Sequence, residues 1–193
     1  MSGDGVTIFC LNNPEAYGHA LDRLDDVERA RAARLQQGRE LFIGAHALLR
    51  YVVGPREIRT LPGGKPFFAD SPLHFSLAHC PGLALCAVTA AAPVGIDAEP
   101  LIEADDGVAE TVFSGRERRW IDGSAERFTE LWTVKEAIFK TAGESWSEEW
   151  RERTLIPGDT PDHWVEQKRL PGGYFAALAS KVPLTADWRF IEI

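Results

Sequence analysis

Twice along this 193-residue chain a long stretch with helical spacing of apolar residues gives way to short strand-like runs broken by Gly and Pro. That alternation restricts the fold more than any other feature. In the first round, residues 7–11 read as a strand and residues 25–53 as one long helical region, with apolar positions at Leu35, Phe42, Ile43, Leu48, Leu49 and Val52 and an end at Gly54-Pro55. After the turn-forming segment 61–66, strands are predicted at 73–78, 83–89 and 94–98, the first two joined at Pro81-Gly82. Residues 101–123 are polar, with a short helical piece around 116–121. The second round begins with the strongest helix, whose core stripe is Leu131, Val134 and Ile138 and whose stop is Gly143. Strands follow at 164–167, 174–179 and 188–193. The expected class is therefore α+β, each half a long helix with a small antiparallel sheet, the halves being residues 1–100 and 101–193. A faint match between segments 82–88 and 173–179 hints at a duplicated unit.

The predicted strand at 94–98 delivers two acids. Asp97 and Glu99 are two residues apart, so a strand sends both to one face while Ala98 turns into the core. Glu136 lies in the strong helix with Lys140 one turn further on the same side. Magnesium takes oxygen ligands, usually one or two carboxylates plus phosphates and water, and three neighbouring acids repel one another unless a cation sits among them. Asp97, Glu99 and Glu136 thus form a candidate magnesium site.

A formal charge of −8 and a sequence pI of about 5.2 exclude a general nucleic-acid or anionic-membrane binder, which needs a basic surface. Local positive charge is available at Arg29, Arg31, Arg34 and Arg39. The three cysteines, Cys10, Cys80 and Cys86, show neither metal nor redox spacing and read as small buried apolar residues. The start lacks the pattern of a signal peptide, and the longest apolar stretch, 83–92, is too short to span a bilayer. A cytoplasmic protein is expected.

Four segments in order carry a family resemblance: Gly64-Lys65-Pro66; His74-Phe75-Ser76-Leu77-Ala78-His79; Gly95-Ile96-Asp97-Ala98-Glu99; and residues 132–140, Trp-Thr-Val-Lys-Glu-Ala-Ile-Phe-Lys. In this order they resemble the 4′-phosphopantetheinyl transferases of the surfactin-synthetase type. The resemblance implies two pseudo-symmetric α+β halves with the active site at their interface. It implies transfer of the phosphopantetheine arm of coenzyme A to a serine of an apo acyl, peptidyl or aryl carrier protein, with release of adenosine 3′,5′-bisphosphate. It also implies that Asp97, Glu99 and Glu136 hold Mg2+ and that Lys140 reaches the phosphates. On the adenosine side it implies phosphate binding by His79, Lys65 and an arginine of the first helix, Arg39 ahead of Arg31 and Arg34. Glu136, or a water it orients, is the candidate general base for the carrier serine. A monomer is expected, with docking of the carrier beside the first helix or near Val112 and Phe113.

The sequence departs from the family where Ser76 and Ala78 replace a common Asn and Ser, and where Glu144 replaces a common basic residue. Those changes bear on coenzyme A affinity and carrier choice, not on the three acids. Plainer roles stand beside the chemical ones. An Asp-x-Glu pair ending a strand is often a solvated edge, Lys140 could be only the i+4 ion partner of Glu136, and Lys65 is first a turn residue. His79, His46 and His74 could be structural, Trp132 and Phe139 packing residues, and the arginines the wet face of a helix. Glu117 has at most a secondary role. Two other functions remain open from the residues alone: another magnesium-dependent phosphoryl or pyrophosphate enzyme, and a non-catalytic relative that binds coenzyme A or a carrier.

Overall fold

The computed structural model describes residues 4–143, 148–156 and 162–193. In chain order the elements are β1 (Gly5–Asn12), α1 (Asp26–Arg34), α2 (Arg39–Val53), β2 (Ile58–Thr60), β3 (Pro66–Phe68), β4 (His74–Cys80), β5 (Leu83–Thr89) and β6 (Val94–Glu99). They continue with α3 (Asp106–Val112), α4 (Gly115–Ile121), α5 (Ala125–Ala142), α6 (Glu148–Glu152), β7 (Trp164–Leu170), β8 (Tyr174–Ser180) and β9 (Thr185–Ile191). The α+β class is as expected.

The long helical region predicted over 25–53 divides in two. Leu35 is extended (φ −74°, ψ 125°) and Gly38 is left-handed (φ 65°), while Gln36 and Gln37 are exposed. No apolar anchor falls between Leu35 and Leu41, so nothing holds the intervening turn helical. A capping box starts α1: Asp25 accepts from the Glu28 N–H, and the Glu28 carboxylate accepts from the Asp25 N–H. Glu28 then receives Arg50 Nε at 2.9 Å and faces His46 Nδ1 at 2.8 Å, and Arg50 also pairs with Asp25. This short helix is fastened to α2 mainly by charge, because Ala32 is its one buried apolar residue.

Two sheets face each other at the centre. The first has the order β4-β5-β1-β9, with β1 antiparallel to β5 and parallel to β9; the second is antiparallel, with the order β6-β8-β7. Every residue of β5 is buried. Its continuous apolar run has both faces covered: Ala84, Cys86 and Val88 pack against Leu48 and Leu49 of α2, and Leu83, Leu85 and Ala87 pack against Val94, Ile96, Ala98 and Leu178 of the second sheet. On the far side of that sheet, Ala177 and Ala179 meet Val134, Ala137 and Ile138 of α5. The layers therefore run α2, sheet, sheet, α5. The three cysteines are free and buried, as expected.

The small β2–β3 pair and α3 were not predicted, and the last strand starts at Thr185 rather than at 188. The third strand of the first round, β6, pairs with β8, and β9 returns to pair with β1, so each sheet borrows across the two rounds. Phe113, expected near an exposed apolar surface, is 1% exposed because it packs against Phe128 and Trp132. Among the described residues, no helix is long and apolar enough to cross a membrane.

Candidate active site

Gly95 sets the distance between β6 and α5. A Cβ there would lie 1.9 Å from the Ala137 carbonyl oxygen and 2.6 Å from the Thr141 nitrogen, so only glycine allows this approach. Period two then sends Asp97 and Glu99 to the same α5-facing side, while Ile96 and Ala98 enter the core between the sheets. The opposite edge of β6 is tied to β4, where the Ile96 N–H donates to Ser76 Oγ at 3.1 Å. Above Asp97 stands Lys140, whose Nζ donates to Asp97 Oδ1 at 2.6 Å. Lys140 thus pairs with the strand acid, rather than with Glu136 one helical turn away. The other oxygen, Asp97 Oδ2, is buried without a hydrogen-bond partner.

The three acids feel one another. Burial pushes Asp97 upward even against the attraction of Lys140. Glu99 rises to about 7, first by burial and then by the charges of Asp97 and Glu136, with Lys140 opposing. Glu136 is raised by burial and by Asp97, again against Lys140. A group of carboxyls held above its ordinary range, with one orphaned buried oxygen, suits a cation. Among the described residues, no three His, Cys, Asp or Glu side chains form a set that could hold a metal ion by themselves. Additional oxygen from a diphosphate and water would have to complete the shell, which is how magnesium is commonly bound.

Of the basic candidates, His79 is coupled to Lys140, and Arg31 to His79. His79 reaches solvent, yet partial desolvation first, and then the positive Lys140, His46 and Arg31, hold it below the ordinary histidine value. Arg31 lies over the Phe42 ring at 5.3 Å. Arg34 ends α1 and is exposed, and Arg39 begins α2 half-buried. Lys65 is placed differently from the expectation of a phosphate ligand. Its Nζ donates to the carbonyls of Val94 at 2.9 Å, Lys140 at 2.6 Å and Thr141 at 3.1 Å, and burial lowers it to about 8. A cleft of 270 Å³ opens beside Lys140, walled by the 63–66 loop, by Phe75, Ser76 and Leu77 of β4, and by Phe139 and Gly143.

Two further residues support α5 from its other side. Lys135, 2% exposed, pairs with the fully buried Glu117 at 2.7 Å and donates to the carbonyls of Val112 and Arg151 at 3.0 Å each. Glu117 in turn accepts from the Ser114 and Leu155 N–H groups. Glu117 is therefore a structural anchor. A Ser114-x-x-Glu117 capping box starts α4, and neither it nor the buried lysine partner of Glu117 was anticipated from the sequence. Ala78 is 2% exposed and lies between the sheets. Glu144 falls outside the described residues.

The profile described as the 4′-phosphopantetheinyl transferase superfamily matches residues 93–186, the span holding β6, α5 and all three acids. The chain is 39% identical over 85 residues to 4′-phosphopantetheinyl transferase gsp of Aneurinibacillus migulanus, covering 42% of this chain and 35% of that protein. It is 33% identical over 140 residues to 4′-phosphopantetheinyl transferase HetI of Nostoc sp., covering 62% and 59%. It is 28% identical over 190 residues to 4′-phosphopantetheinyl transferase psf-1 of Bacillus pumilus, covering 83% and 80%. The matches thus span about a third of the first relative and under two thirds of the second. The acid pair, the helix motif and their spacing all lie inside the matched span, so residues 93–186 are what makes this chain similar to the 4′-phosphopantetheinyl transferase superfamily.

Proposed function

We propose that this chain transfers the 4′-phosphopantetheine arm of coenzyme A to a serine hydroxyl of an apo acyl, peptidyl or aryl carrier protein, releasing adenosine 3′,5′-bisphosphate. The observation that carries it is the Asp97 carboxylate, with one oxygen on Lys140 and the other orphaned in a buried place, coupled to Glu99 and Glu136 beside an open cleft. Asp97, Glu99 and Glu136 would hold Mg2+, which when bound supplies neutralising charge to the diphosphate.

The residues of the chain do the rest. Lys140 stands at the junction of acids and cleft, where its ammonium can stabilise charge developing on the departing phosphate. Glu136, or a water it orients, would accept the proton of the attacking serine. His79, through a ring N–H, and the cationic Arg31 beside it would hold adenosine-side phosphates, with Arg34 and Arg39 at the margin. The cleft lined by Gly63, Gly64 and Pro66 would receive the adenosine. In this reading the active site lies between two pseudo-symmetric halves, expected at residues 1–100 and 101–193, of a cytoplasmic monomer. The strand orders β4-β5-β1 and β7-β8-β6, each crossed by a helix that follows its first strand, support a pseudo-symmetry in which β6 opens the second unit, so its boundary falls before Val94 rather than after residue 100.

Intact-mass measurement of apo carriers of the three kinds, incubated with coenzyme A, Mg2+ and this protein, tests the proposal. A gain of one phosphopantetheine on the carrier serine is expected, lost on Glu136→Gln. No gain on any carrier would refute it.

A further inference from the structure

Lys65 is the one charged wall of the cleft with no part in the chemistry above. It lies between β2 and β3, yet its ammonium crosses to the other round of the chain and donates to Val94, Lys140 and Thr141 carbonyls. An ammonium has three N–H bonds, so this set uses all of them. The acceptors come from two elements. Lys140 and Thr141 carry carbonyls of the last turn of α5, which lack intrahelical partners and form the negative end of the helix dipole. Val94 opens β6.

Those two elements bear Asp97, Glu99, Glu136 and Lys140 between them. Lys140 is consequently held at both ends, its carbonyl by Lys65 and its ammonium by Asp97. The lysine stem also packs on the left-handed cap of α5: a Cβ on Gly143 would lie 3.1 Å from Lys65 Cβ and Cδ. To reach an anion, the Lys65 ammonium would have to abandon three partly buried carbonyls and leave them unpaired.

We propose that Lys65 is a positioning residue: by gathering carbonyls of α5 and β6 it fixes the spacing between Glu136 with Lys140 and Asp97 with Glu99, and it does not bind a phosphate of coenzyme A. The inference rests on the transferase reading for its kinetic consequence, but the clamp itself has a readout of its own. Lys65→Met keeps the stem and removes the donors; Lys65→Arg keeps a donor fork that can reach the same acceptors.

In Lys65→Met, kcat falls about tenfold or more while KM for coenzyme A and the preference for coenzyme A over its 3′-dephospho form stay within about threefold; Lys65→Arg regains about a third of kcat or more. A tenfold rise in KM with kcat intact, or loss of the 3′-phosphate preference, would overturn the proposal, as would unchanged kinetics. Amide hydrogen exchange at Ala142 and Gly143 separates the two levels. It quickens about tenfold in Lys65→Met and returns toward the wild-type rate in Lys65→Arg. Unchanged exchange refutes the clamp whatever the activity, whereas wild-type protein that modifies no carrier refutes the transferase reading and leaves exchange to decide whether Lys65 holds α5 to β6.

Discussion

At the scale of single residues, buried charge decides where this protein is vulnerable. Replacing Asp97 by Asn keeps the shape but removes the charge that orients Lys140 and faces the proposed cation site. Carrier modification is expected to fall about 10² to 10³-fold, read from initial rates, with a melting temperature close to that of the wild type. The Lys135–Glu117 pair behaves oppositely. Lys135→Met leaves a fully buried carboxylate unpaired and is expected to cost about 3–5 kcal/mol in denaturant unfolding, partly recovered when Glu117→Gln is added. Glu28 gives the pH dependence. Burial would raise it, but hydrogen bonds from His46, Arg50 and the Asp25 N–H hold it down to about 2, below its ordinary 4.5. A folded value below the unfolded one stabilises fully above pH 4.5 and is lost as pH falls toward 2. Unfolding titrations should show about 2–3 kcal/mol less stability across that window, a loss absent in Glu28→Gln. Period two puts Asp97 and Glu99 on one strand face and period 3.6 puts Glu136 and Lys140 on one helix side, and spacing alone showed no more than that. The partners of Lys65, Lys135 and Glu28 were not legible, since each lies far away in sequence.

At the scale of elements, the contact between β6 and α5 sets the site. Gly95→Ala must push a methyl against the Ala137 carbonyl and the Thr141 nitrogen, both backbone atoms that cannot swing aside. A loss of about 1–3 kcal/mol is expected, together with weaker carrier modification, because α5 moves with Glu136 and Lys140 on it. Substitution to Ala at Gly123, where nothing lies within 4 Å, strains only its left-handed backbone (φ 70°) and should leave the activity unchanged. The strong helix and the middle strands were readable from apolar periodicity. The break between α1 and α2 was not, because one apolar stripe can be continued through Gly38 on paper while its left-handed backbone stops it in space. The small β2–β3 pair escaped for a related reason: two strands of three residues each are too short to show an alternation.

For the whole molecule, the strand exchange binds the two rounds into one layered body. β6 inserts beside β8, β9 beside β1, and Ser76 closes the gap between β4 and β6. Helix-then-strands order announced the class, but sequence spacing carries no information about which sheet a strand joins, so the exchange was invisible. What the arrangement achieves is a shared wall of acids opposite one lysine, beside a cleft. Manganese titration followed by water-proton relaxation, with coenzyme A present, tests that wall most directly. One ion should bind to the wild-type protein, and Asp97→Asn with Glu136→Gln should weaken its binding more than about tenfold. Equal binding by the wild type and that double variant would contradict a cation site built from these carboxylates.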